Sequence, residues 1–161
     1  MSVQLLIESM EKLLSLHQQL HTTALEKTEA IKINEIKNLD KLLRDEQKLV
    51  TSIQIEENKR QQATAILTND DKTTTISQII QQLDGTNREI LSELHVKLTA
   101  VISELQETNV LNQQLLQYSL QYINLNLDLL SPEPELPNYT KSQGEASGNA
   151  NTGRSVFDSK A

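Results

Sequence analysis

An all-α fold is what this sequence predicts: an elongated antiparallel helical bundle or coiled coil with a long C-terminal helix and a disordered tail. Three observations carry that expectation. First, the 161 residues contain only four Gly and three Pro, and all but Gly85 lie beyond residue 131. Hairpins and sandwiches need a turn signal every ~8–12 residues, and the first 130 residues do not supply them. Second, 37% of residues are apolar and only Tyr118, Tyr122, Tyr139 and Phe157 are aromatic. Large aromatic groups usually fill a thick core, so long, thin helices remain. Third, apolar positions recur in steps of three and four, the period of one helical face.

The first helix is expected over 2–30, with Ser2 as a good N-cap residue and Val3, Leu6, Met10, Leu13, Leu14, His17, Leu20 and Ala24 along its apolar face. The phase is disturbed at Ile31-Lys32-Ile33-Asn34, where Asn34 is a candidate cap for a fresh start at Glu35; a turn and a kink are both compatible with these residues. A second helix is expected over 35–67, with Leu39, Leu42, Leu43, Glu46, Leu49, Val50, Ile53, Ala63, Ile66 and Leu67 on its series. Its stretch Lys41–Lys48 mixes both charge signs, as the solvated faces of long helices do. The polar run from Thr68 to Thr74 reads as a loop.

Two capping boxes follow. Thr75-Ile76-Ser77-Gln78 opens a short helix, 76–84, that Gly85 closes with left-handed backbone. Thr86-Asn87-Arg88-Glu89 opens the last helix, 87–130, which nothing interrupts before Ser131-Pro132. At 1.5 Å per residue this helix is roughly 65 Å long. Residues 1–131 therefore form the helical domain. Residues 132–161 are rich in Pro, Gly, Ser, Asn and Thr and cannot bury enough apolar area to offset their ordering entropy, so they read as a flexible tail. The tail ends with Val156-Phe157, a candidate docking pair.

Composition removes several function classes. The chain has no Cys, which excludes disulfides and thiol chemistry. Its net charge of −7 disfavours nucleic acid and anionic membrane as partners. No run approaches the ~20 apolar residues of a membrane span, so no membrane insertion is expected. The N-terminus lacks a basic region before its apolar residues and is not a secretory signal, leaving a soluble cytoplasmic protein as the expectation. His17 and His21, four apart, have metal-binding spacing, but no third ligand accompanies them and His17 lies on the apolar face. Neither a phosphate loop nor a nucleophile with a base is present. No enzyme activity, cofactor or metal is expected.

The last helix changes character along its length. From Leu91 to Leu105 it has one narrow apolar seam, Leu91, Leu94, Leu98, Val101, Ile102 and Leu105, as in an ordinary bundle helix. Beyond Asn109 two stripes appear. One is Leu111, Leu115, Tyr118, Tyr122, Leu125 and Leu129; the other is Leu116, Leu120, Ile123, Leu127 and Leu130. Asp128 is the only charge among residues 111–130. Two faces of this kind exceed what a slender bundle buries, and a large exposed apolar patch marks a partner site. Coverage of the second stripe by the N-terminal helix is the structural alternative.

The polar helical chain with the run Leu111-Asn112-Gln113-Gln114-Leu115-Leu116-Gln117-Tyr118-Ser119-Leu120-Gln121-Tyr122-Ile123-Asn124-Leu125-Asn126-Leu127-Asp128-Leu129-Leu130 resembles the FlgN flagellar export chaperones. The ending Ser155-Val156-Phe157-Asp158-Ser159-Lys160-Ala161 is similar to the Gram-positive branch of that family. The resemblance implies a cytoplasmic, non-enzymatic, substrate-specific chaperone; a monomer or weak dimer is the expected state of the chain. Such a protein binds the hook–filament junction proteins FlgK and FlgL and delivers them to the flagellar type III export gate. It also implies client contacts at Leu115, Leu116, Tyr118, Leu120, Tyr122, Ile123 and Leu127, without deciding which stripe faces the client. The competing reading is a homo-oligomeric coiled-coil scaffold that self-associates through 111–130.

Overall fold

The computed structural model describes residues 2–70 and 73–130; the tail at 132–161, with Val156 and Phe157, lies outside the described residues. The described residues form four helices and no strand: α1 (Ser2–Lys32), α2 (Ile36–Leu67), α3 (Ile76–Gln82) and α4 (Gly85–Leu130). Residues 1–119 belong to one compact unit and residues 120–161 to a second.

Within the first unit, α1 lies at the centre. Its Leu6, Ile7 and Met10 bury against Ala63 of α2, Ile79 of α3 and Leu91 and Leu94 of α4. Further along, Leu20 and Ala24 meet Leu105 of α4, with Leu49 and Ile53 of α2 packed beside them. The start of α1 therefore meets the end of α2, and these two helices run antiparallel. Lys27 of α1 confirms the register by donating to Glu46 of α2 at 2.9 Å. The short α3 packs at the same end, so the chain starts α4 there and returns it parallel to α1. The core is aliphatic, and Leu6, Met10, Leu13 and Leu91 are its most enclosed large side chains.

The ends of the helices show how the polar residues are used. At the first junction the chain makes a turn rather than a kink. Asn34 has φ 58°, the left-handed conformation that Asn tolerates better than most residues. The amide of Glu35 donates to the Ala30 carbonyl at 3.0 Å and that of Asn34 to Ile31 at 3.2 Å. This is a Schellman closure, with Asn34 in the place usually held by Gly. Asn34 thus ends α1, and Glu35 is the N-cap of α2, without a side-chain cap bond.

Of the two expected capping boxes, one forms. The Gln78 amide donates to Thr75 Oγ1, and the Thr75 amide donates to the Gln78 side chain at 2.8 Å. The second does not. Gly85, at φ 64°, is itself the first residue of α4, and α3 has already stopped at Gln82. Thr86 then sits inside the first turn, where its backbone is helical and its hydroxyl is not placed to cap. Among the described residues no bond joins it to Glu89.

Candidate functional site

The site is built on α4, whose buried side can be followed in steps of seven. Leu91, Leu98 and Leu105 are continued on that side by Asn112, and in the sequence the same step of seven leads on to Ser119 and Asn126. The companion line begins with Leu94 and Val101 and passes to Thr108 and Leu115. The face that packs on α1 thus turns from apolar to polar near residue 108. Asn112 is 3% exposed, and its amide nitrogen donates to the Ala24 carbonyl at 3.0 Å. Thr28 Oγ1 in turn donates to Asn112 Oδ1 at 2.5 Å. The Thr108 hydroxyl lies 3.3 Å from His21 Nε2. A buried Asn in a helix seam satisfies its hydrogen bonds in one register only, so these contacts fix how α4 slides against α1.

Where the packed face becomes polar, the other faces become apolar. Leu111 and Leu116 are exposed and Leu115 is half-buried. Tyr118 is 66% exposed, so its ring stands almost free. The part of α4 in the second unit, residues 120–130, carries Leu120, Tyr122, Ile123 and Leu127, each between 47% and 67% exposed. Leu125, Leu129 and Leu130 are exposed with them. Within the second unit, the second-stripe residues Leu120, Ile123, Leu127 and Leu130 are all exposed. At ~100° per residue, the two stripes lie about 70° to either side of the line Asn112, Ser119, Asn126. Gln114, Gln117, Gln121, Asn124 and Asp128 occupy the opposite side.

Six of the seven residues singled out from the sequence are exposed, and Leu115 is half-buried on the packed side. Sequence reasoning missed Val110, 54% exposed, and the part played by Asn112. Val110 falls off both stripes. For Asn112, the available signal was that Leu91, Leu98 and Leu105 are followed by Asn at the next step of seven.

The histidines have structural places. His17 Nδ1 lies 2.7 Å from the Leu13 carbonyl, and His21 faces Thr108 with Glu104 at 3.9 Å. Among the described residues no group of three His, Cys, Asp or Glu side chains is placed to hold a metal, and no helix is long and apolar enough to cross a membrane.

The family model described as FlgN protein matches residues 1–147. A Bacillus subtilis (strain 168) protein, the uncharacterized protein YvyG, is 35% identical over 161 residues, covering 100% of both chains. No solved structure matches the chain. With the family match across most of its length and a relative aligned end to end, the chain belongs to the FlgN family of flagellar export chaperones, a family of chaperones and not of enzymes.

Proposed function

We propose that this protein is a cytoplasmic export chaperone that binds hook–filament junction proteins of the FlgK and FlgL kind on residues 111–130 and delivers them to the flagellar type III export gate. The observation that carries the reading is the pair of exposed apolar stripes flanking a polar line on α4. If five of these side chains are covered by a client, the burial contributes on the order of 10 kcal/mol at ~1.5–3 kcal/mol each. Ordering of the client offsets part of that gain. No nucleotide chemistry is needed, because a helix that covers an aggregation-prone segment acts by binding alone.

The arrangement also favours one mode of contact. A client helix lying along Ser119 and Asn126 touches both stripes at once, since a packed helix buries an apolar face at least ~100° wide. Its own polar groups then meet the Asn and Ser side chains, which sets register where the near-absence of charge cannot. Leu120, Ile123 and Leu127 form one edge of this contact, and Tyr118, Tyr122 and Leu125 the other.

Titration calorimetry of the full chain against a purified FlgK- or FlgL-type protein tests the proposal. Leu120→Asp with Leu127→Asp is expected to abolish binding with helical content unchanged, because a charge buried without a partner is far costlier than an exposed one. Tyr118→Asp with Leu125→Asp is expected to weaken binding as well. Retained binding in both double variants overturns the proposal. Light scattering with and without client separates it from self-association: a stable homo-oligomer that ignores the client is the scaffold's result.

A further inference from the structure

The mixed charges of Lys41–Lys48 are sorted by the fold. Glu46 turns toward α1 and pairs with Lys27, and Asp45 is half-buried. Asp40 is held by Arg44 at 2.9 Å. The cations Lys37, Lys41, Arg44 and Lys48, in steps of four, three and four, are all exposed. Among the described residues no carboxylate pairs with Lys37, Lys41 or Lys48. A sequence that alternates sign along the chain therefore shows a cationic band on the outer face of α2.

A second observation lies beside it. Ile36, Leu43 and Val50, spaced by seven, are 71%, 44% and 40% exposed. Asp40 and Gln47 separate this aliphatic line from the line of Lys37 and Arg44. The two lines run together for about 20 Å, some four helical turns. Heptad-spaced aliphatics with flanking charges of one sign form the surface by which a helix accepts another helix.

We propose that the outer face of α2 is a second docking surface, separate from the α4 site, and that its occupant is an amphipathic helix of a partner protein with heptad-spaced aliphatic residues along one edge and Asp or Glu along the other. The charge pattern selects this occupant. An extended polyanion such as a membrane or nucleic acid reaches past the band, and the net charge of −7 already includes these four cations, so the surroundings are more acidic still. A second copy of the chain is a poor match, because its exposed apolar segment at 111–130 carries a single carboxylate, Asp128. A short acidic helix meets the band, the aliphatic line and, between them, Asp40, whose charge Arg44 already holds.

The test uses the full chain and a synthetic three-heptad peptide with Leu once per heptad and Glu along the adjoining edge. A scrambled peptide of the same composition, phosphatidylglycerol vesicles and a DNA duplex serve as rivals. The ordered peptide is expected to bind, at least about tenfold tighter than the scrambled one, and less tightly as salt rises. Lys37→Glu with Lys48→Glu, and separately Leu43→Asn, are expected to weaken it by about tenfold or more with unchanged circular dichroism. The Leu120→Asp/Leu127→Asp variant is expected to bind the peptide as wild type does, so the α4 reading can fail without this one. Absence of binding, equal affinity for the scrambled peptide, indifference to charge reversal, or preference for vesicles or DNA overturns the proposal.

Discussion

Asn112 shows how one side chain serves both stability and register. It is 3% exposed and bonded to Ala24 and Thr28 across the α1–α4 contact. Asn112→Ala leaves the Thr28 hydroxyl without that partner and opens a small space, so a loss of about 1–3 kcal/mol is expected in urea denaturation. A second residue-scale prediction concerns pH. Arg60 donates to Glu57 through Nε at 2.8 Å and Nη2 at 2.6 Å. That hydrogen bond, aided by the guanidinium charge, holds the Glu57 carboxyl below its ordinary range. The unfolded chain then takes up this proton first, so the pair's contribution is complete above roughly pH 4.5 and is lost as pH falls through the lowered folded value. The stability difference between wild type and Glu57→Gln should shrink across that acid window. A difference that stays constant there would count against the pair.

At the scale of elements, the two Thr caps make a paired test. Thr75 closes a capping box on the seven-residue α3, whereas Thr86 sits within the first turn of α4. Thr75→Ala is expected to cost about 0.5–2 kcal/mol, and Thr86→Ala much less, read as shifts in the same denaturation midpoint. The two sequences look alike because the box is a local pattern. Whether it closes depends on where the helix begins, and the positive φ of Gly85 moved that point. The long helices were more legible, since their three-and-four spacing extends over many turns. The junction at 31–35 was not: the same Asn can start a helix or end one, and the bonds from Glu35 to Ala30 and from Asn34 to Ile31 decided it.

For the whole molecule, stability and binding are expected to separate along α4. Leu91 is 0% exposed within the main cluster, and Leu91→Ala should cost about 2–5 kcal/mol. Leu127 is 59% exposed, and Leu127→Asp should change stability by only ~0.5 kcal/mol or less while weakening the client contact. Thermal melts beside client titrations check both. A large loss of stability from Leu127→Asp would assign that stripe to the protein's own packing.

The sequence alone determined the helical class, because scarce Gly and Pro and sustained three-and-four spacing leave a chain few other ways to bury its aliphatic residues. It also located the excess of apolar residues on the last helix, since eleven apolar positions among residues 111–130 outnumber any single face. Tertiary structure alone decided which face is covered. Periodicity marks faces relative to one another but does not say which of them meets α1. The pairing of Asn112 with Ala24 and Thr28 settles that within the first unit, putting Asn112 inside while Leu111, Leu116 and Tyr118 stay exposed. The same holds for α2, where a run of mixed charges becomes a cationic outer face only once Glu46 has turned inward to Lys27. Contacts between residues 19 and 84 positions apart are invisible to local pattern, and they fixed both surfaces.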